Sequence, residues 1–312
     1  HSIADISAFG QRFTHWTLFT ALVDTPLFTI QGVEFQFEKV TSLALFASIL
    51  FAVYHYVLEQ QARNAALEQE MQSAREIQQV LIPEVLPSLE GYGITSAYTP
   101  AQEVGGDFFQ ILANPDGSTI VALGDVSGKG LKAAMNVATI VGVIRAEATN
   151  TSSAGEMLST LNRCLAGRMQ GGFATGIVFR LDSNGEATIA NAGHLPIFLN
   201  GQEFALEPSL PLGLVSETIY EEVTVRLQPG DQLSLYTDGL LEARNANGEL
   251  FGFERLRTLF ASRPTAQEAS QAAVAFGQDD DITVLTLTRL AAGEESTTQI
   301  VAPILDDVSV RI

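Results

Sequence analysis

The stretch Ser118–Ala148, STIVALGDVSGKGLKAAMNVATIVGVIRAEA, writes a strand, a glycine-rich turn and a long helix in one line. STIVALGD is a β-branched, apolar run that ends on Asp125, and LKAAMNVATIVGVIRAEA is a helix with a strongly apolar face. Working outward, FATGIVFRL and EATIANAG stand on either side of Asn184-Gly185 and read as a hairpin, because Asn-Gly accepts the positive φ angles of a tight turn. QLSLYTDG and ITVLTLT are further strands, while GFERLRTLFAS and TAQEASQAAVAFG are helical. Strands and helices come in separate groups instead of a regular βαβ alternation, so the expected class is α+β. The globular domain spans residues 89–290 in this reading, and no internal repeat is seen.

Upstream the pattern changes. VTSLALFASILFAVYHYVL, residues 40–58, carries no charge apart from the titratable His55 and is apolar on every side. At a rise of about 1.5 Å per residue it is long enough to cross a bilayer. Residues 39–58 are therefore expected to form a transmembrane helix; the other reading is a buried or partner-packed helix. Lys39, Arg63 and Arg75 are too weak an asymmetry to orient it. Residues 1–38, interrupted by Asp24 and Pro26, read as the remnant of an upstream input region, and no signal peptide is expected. Residues 59–88, beginning EQQARNAALEQEMQSAREIQQVLIP, are rich in good helix formers and stop at Pro83. Leu67, Met71, Ala74 and Leu81 trace a heptad-like seam if Gln78 takes one position. Two readings stand side by side: a parallel coiled-coil linker joining two copies of the chain, or one amphipathic helix lying on its own domain. Residues 291–312 read as a mostly extended or disordered tail.

Composition excludes several functions. A net charge of −19, with no basic stripe, disfavours nucleic acid as a partner. Cys164 has no cysteine partner, which rules out an internal disulfide and a cysteine-based zinc site; within LNRCLAG it is expected in the core. There is no GxSxG elbow, and three of the four histidines lie at or before residue 55.

Four acidic motifs remain: Gly105-Gly106-Asp107, Gly124-Asp125-Val126-Ser127-Gly128, Thr237-Asp238-Gly239 and Asp279-Asp280-Asp281. Each alone is an ordinary turn sequence. Together they differ, because two directly follow apolar strands and a third directly precedes one, so sheet ends can bring them together. Carboxylates converging without His or Cys repel one another unless cations neutralise them, and oxygen-only ligands select hard ions such as Mg²⁺ or Mn²⁺. A pair of such ions activates water and stabilises charge on a phosphoryl group, which makes phosphoester hydrolysis the expected chemistry.

GGDFF, GDVSGKG, NAGHLP, YTDGLLEA and QDDDITVL, in this order over residues 75–290, resemble the metal-dependent protein phosphatase (PPM) family. The similarity is to its bacterial branch of stage II sporulation protein E and stress-response serine phosphatases, and AREIQQVLIPEVLPSLEGY is similar to that branch's entry helix. The resemblance implies an α-β-β-α sandwich, two antiparallel sheets flanked by helices, preceded here by a long helix. It implies two Mn²⁺ or Mg²⁺ ions: Asp125 bridges them, Val126 offers its carbonyl, Asp238 and Asp280 complete one shell, and Asp107 holds the second ion directly or through water. Asp125 and Asp238 are the residues on which catalysis is expected to turn. Asp281 is placed to assist, Gly106 and Gly239 keep the turns open, and Asp279 is expected to be exposed. Where many relatives carry His, this chain has Lys129, which attracts phosphate or is simply solvated; His194 is expected to be a satisfied turn or core histidine.

The resulting expectation is a membrane-tethered, homodimeric serine/threonine phosphatase with its catalytic domain in the cytoplasm. Its partner would be a phosphorylated protein, of the kind represented in that branch by antagonists of anti-sigma factors. The rivals are a non-catalytic phosphoprotein-binding module and a dimerising membrane scaffold.

Overall fold

The structure is a computed structural model that describes residues 26–30, 33–83, 85–101, 105–151, 153–169, 171–291 and 293–294. Most of the presumed input remnant and nearly all of the tail lie outside them. The chain divides into two compact units, residues 1–69 and 70–312.

The first unit holds a hairpin, β1 (Pro26–Ile30) against β2 (Val33–Gln36), and most of α1 (Phe37–Leu81). Leu43, Phe46, Leu50, Phe51 and Tyr54 of α1 are exposed. Its stretch Val40–Gln69 is long and apolar enough to cross a membrane, with mean hydropathy 1.7 and no part of that window buried. Of the heptad-like seam, Leu67 is exposed, and the side chains of Met71, Ala74 and Gln78 lie outside the described residues.

The second unit runs β3 (Tyr92–Thr99), β4 (Asp107–Ala113), β5 (Thr119–Val126), α2 (Leu131–Glu147), α3 (Ala154–Leu165), β6 (Ala174–Leu181), β7 (Glu186–Ala192), β8 (Ile197–Leu199), β9 (Gln202–Phe204), β10 (Glu222–Arg226), β11 (Gln232–Tyr236), α4 (Asp238–Glu242), α5 (Gly252–Ala261), α6 (Ala266–Phe276) and β12 (Ile282–Arg289). The strands form two antiparallel sheets, ordered β10-β7-β6-β5-β4 and β3-β12-β11-β8-β9. Helices α2 and α3 cover the outer face of the first sheet. Helices α4, α5 and α6 cover that of the second. The layers are therefore helix, sheet, sheet, helix, as the resemblance implies.

Between the sheets, Phe109, Ile111, Val121, Leu123, Ile177 and Phe179 meet Ile94, Leu233, Leu235, Leu285 and Leu287. Both faces of each sheet are buried, so the strands read as nearly continuous apolar runs. Helix α3 includes LNRCL of the helical pattern LNRCLAG read around Cys164 but begins earlier, where Ser153 caps it by accepting the Glu156 amide N–H, a readable start signal. Cys164, expected in the core, is only half-buried on that helix, which buries Leu158, Leu161 and Leu165 on its other face.

The last residues of α1 belong with this unit. Leu81 packs against the helix-covered core and Ile82 against the inter-sheet core. The Leu81 carbonyl, left without a helical partner, accepts from Gln110 Nε2 at 2.7 Å and Arg145 Nη2 at 3.1 Å, and Arg145 also donates to Gln110 Oε1 at 2.8 Å. Phe109→Ala empties the fully buried centre between the sheets. It is expected to lower the unfolding free energy by about 3–5 kcal/mol, read from equilibrium urea unfolding.

Candidate metal centre

Strand alternation places the acidic side chains. Residues that share a face recur every second position, and Phe109 and Ile111 face the inter-sheet core. Asp107 continues their face to the start of β4. Asp125 likewise continues the face of Val121 and Leu123 at the end of β5, and the two aspartates pair directly across the ladder. On the opposite sheet, Thr237 extends the row of Leu233 and Leu235, and Thr283 precedes Leu285 and Leu287 on the same face. One end of the apolar core is thus polar.

Asp107 is only 2% exposed. Its Oδ2 accepts hydrogen bonds from Thr237 Oγ1 at 2.7 Å and Thr283 Oγ1 at 2.5 Å, so a carboxylate of the first sheet is held by hydroxyls of the second. Asp281, also buried, accepts from the Ala101 and Gly106 amides at 2.9 and 3.0 Å and fixes the segment that leads into β4. Asp238 opens α4, and the Asp280 carboxylate accepts the Asp281 amide at 2.9 Å. Lys129 Nζ lies 3.0 Å from Asp280 Oδ2 and is therefore not simply solvated. Asp279 points away to Arg244 at 3.0 Å.

The glycines are required by space. A Cβ on Gly106 would come within 2.5 Å of the Val126 carbonyl oxygen and 2.6 Å of Asp125 Oδ1. On Gly239 it would meet the Asp281 carbonyl oxygen at 2.0 Å, and on Gly105 it would overlap the Asp281 carboxylate. Small residues are what let the acidic segments close in.

Burial first, then neighbouring carboxylates, disfavours the charged forms. Desolvation, with Asp125 and Asp281 nearby, holds Asp107 well above the ordinary carboxylate range. Burial together with Asp238, Asp280 and Asp281 pushes Asp125 up to about 7. Asp238 is raised by burial, Glu242 and Asp280. Asp281 is raised mainly by burial, against the two amides that lower it. Among the described residues, no group of three acidic, His or Cys side chains is drawn in tightly enough to hold an ion as it stands. The donor set nevertheless fits hard divalent cations: oxygen atoms alone, mutually repelling, with Gly106 bringing no side chain against Asp125 and the Val126 carbonyl.

Three neighbours were given no role by the sequence reading, although each stands within one of its motifs. Thr237 and Thr283 were legible in principle, since both continue the core face of their strands. Ser127 was not: its hydroxyl accepts the Phe173 amide at 2.8 Å and its amide donates to the Phe173 carbonyl at 2.9 Å, tying the turn after β5 to the start of β6. His194 behaves as the satisfied turn histidine expected of it. It is buried, with Nδ1 2.9 Å from Thr175 Oγ1 and Nε2 3.1 Å from the Tyr236 carbonyl, and burial pushes its pKa down to about 4.

Residues 115–290 match the family model described as stage II sporulation protein E (SpoIIE). Protein IcfG of Synechocystis sp. (strain ATCC 27184 / PCC 6803 / Kazusa) is 27% identical over 233 residues, covering 64% of this chain and 37% of its own length. Phosphoserine phosphatase RsbU of Bacillus subtilis (strain 168) is 27% identical over 192 residues, covering 59% of this chain and 57% of its own. The chain thus spans only about two-fifths to three-fifths of these relatives. The SiaA-PP2C domain of Pseudomonas aeruginosa shares the fold, with a TM-score of 0.61 at 22% identity over 74% of this chain and 99% of that domain.

Two outcomes are expected. Gly106→Ala fills the space beside Asp125 and the Val126 carbonyl, so Mn²⁺ binding measured by calorimetry is lost while the circular dichroism spectrum is kept. In EDTA, Asp125 holds a proton when folded that an ordinary carboxylate, with a pKa near 4, gives up on unfolding. That contribution is present at low pH and is lost as pH rises through about 7. The Tm of the metal-free chain should therefore fall from pH 5 to pH 8, and Asp125→Asn should flatten the fall.

Proposed function

The chain belongs to the stage II sporulation protein E (SpoIIE) family, and from that premise we propose that it is a metal-dependent protein serine/threonine phosphatase acting on a phosphoprotein in signal transduction. One observation carries the reading: Asp107, Asp125, Asp238 and Asp280, from four separate segments, are gathered at one end of the inter-sheet core, where Asp125 feels both Asp238 and Asp280. Two Mn²⁺ or Mg²⁺ ions are the proposed cofactors. When bound they lower the pKa of water and neutralise the charge that builds on a transferring phosphoryl group.

The chain's own part is to hold the ligands. Asp125 and the Val126 carbonyl would serve both ions, Asp238 and Asp280 would serve one of them, and Asp107 would serve the other. The two threonine hydroxyls occupy one oxygen of Asp107 and leave the other for the ion. Asp281 acts one step removed, through the amides that position Gly106 and Asp107.

Residues 89–290 form the proposed catalytic domain. The exposed apolar stretch of α1 supports a membrane anchor; the cytoplasmic placement of this domain is carried by the family resemblance alone, and the remainder of α1 is read either as a linker that pairs two copies of the chain or as an amphipathic helix on its own domain. The grip on the Leu81 carbonyl joins that linker to β4, which begins with Asp107, and to α2, which begins just after Lys129. A change in linker geometry therefore has a route to the ligands. The substrate proposed is a phosphorylated regulatory protein of the type that antagonises anti-sigma factors.

Asp125→Asn and Asp238→Asn are each expected to reduce Mn²⁺-dependent hydrolysis of an aryl phosphate by about a hundredfold or more. Wild-type chain that binds phosphoprotein but never releases phosphate would favour a binding module instead. Removal of the residues before Pro83 should alter both basal activity and oligomeric state; if neither changes, linker control is excluded.

A further inference from the structure

The ring of His194 is fixed by its partners on both sheets. A carbonyl oxygen only accepts, so Nε2 carries the proton and donates to Tyr236, and Nδ1 accepts from the Thr175 hydroxyl. Thr175 pairs across the ladder with Asp125 in the first sheet, while Tyr236 ends β11 in the second and leads through Thr237 to Asp238. The main chain of His194 is clamped as well: its amide donates to Asn191 Oδ1 at 2.7 Å and its carbonyl accepts from Asn191 Nδ2 at 3.0 Å. Gly193, at φ +67, gives the turn its left-handed residue, and a Cβ there would meet Pro211 at 2.7 Å. Ring and turn are thus each held by two hydrogen bonds, with Pro211 close against Gly193.

We infer that His194 is a positioning residue of the metal centre, a neutral strut that sets the separation between the strand end carrying Asp125 and the strand end carrying Asp238. The inference rests on the metal reading of those aspartates. A rigid bridge between two ligand-bearing strands acts on ion affinity without touching the ion, as hydrogen-bonding partners of metal ligands do. A histidine that served only to fill the turn would support folding and leave the affinity of the folded protein unchanged. Burial keeps the ring neutral through the physiological range, so the strut keeps its two bonds while the carboxylates titrate.

The test is calorimetric titration of the full chain in detergent with MnCl₂, alongside thermal unfolding of the metal-free protein. His194→Ala, and Thr175→Val as a near-isosteric change at the other end of the same bond, should each weaken Mn²⁺ binding by about 10–100-fold. The double variant should be little weaker than His194→Ala alone, because both remove one bridge. Tyr92→Phe deletes the Tyr92 hydroxyl bond to the Asp182 carbonyl at the opposite end of the inter-sheet core, and should lower Tm without moving Mn²⁺ affinity. Should His194→Ala fail to fold, Thr175→Val decides. Wild-type affinity in folded His194→Ala or Thr175→Val would overturn the inference and leave a structural role only. Mn²⁺ binding that Asp125→Asn does not change would overturn the metal reading itself, and this inference with it.

Discussion

The controlling constraint is the gathering of several carboxylates, two of them buried and the others half-buried, at one end of the space between two sheets. At 4 Å and an effective dielectric of about 20, two such charges repel by roughly 4 kcal/mol. A hydrogen bond to a charged group returns only about 1.5–3 kcal/mol. The hydroxyls of Thr237 and Thr283 therefore ease the burial of Asp107 but do not offset the whole cluster. Protons or cations must supply the rest. The raised pKa values of Asp107, Asp125, Asp238 and Asp281 express the first solution, and divalent ions are the second.

From that constraint the local architecture follows. Carboxylates that must share an ion have to approach within a few ångströms, and backbone has to approach with them. Gly106 and Gly239 make this room where any side chain would strike a ligand-bearing segment. Antiparallel pairing does the coarse alignment, since β4 and β5 set Asp107 opposite Asp125 before any side chain contributes. The second sheet then supplies donors and further acids from β11, α4 and the segment before β12, so the centre exists only while the two sheets face each other in one register.

Much of this fold was legible because it obeys local rules. The apolar runs at 118–125, 173–181 and 282–288 became strands, the run at 232–239 is strand only to Tyr236 before Asp238 opens α4, and Asn184-Gly185 became the turn it was expected to be. The same alternation, carried one step past each strand end, would have put Thr237 and Thr283 on the core face beside Asp107. Ser153, with Glu156 three residues on, was a readable cap for α3. β1 and β2, separated only by Gln31-Gly32, carried a hairpin spacing that the sequence reading passed over. What could not be read are partnerships between distant segments: Lys129 with Asp280, Ser127 with Phe173, and His194 with Tyr236. Those depend on how the sheets stack, which no local pattern encodes.

Because the acidic residues come from both sheets, occupation of the proposed metal centre and docking of the sheets would be one equilibrium. A ligand present at 100 times its dissociation constant, and bound only by the folded form, adds about 2.7 kcal/mol to stability. By linkage, ion binding and sheet docking would favour each other to the same extent, and affinity falls only where the undocked form becomes populated. The clamp on the Leu81 carbonyl bears on this directly, since Gln110 lies on the strand that begins with Asp107 and Arg145 on the helix that follows the Asp125 turn. A pull or twist delivered through α1 would act on both elements together, and a shift of one pKa unit in the cluster corresponds to only about 1.36 kcal/mol. Small mechanical work delivered through the proposed linker would thus be commensurate with the energies that decide whether the carboxylates hold protons or, in the proposed function, metal.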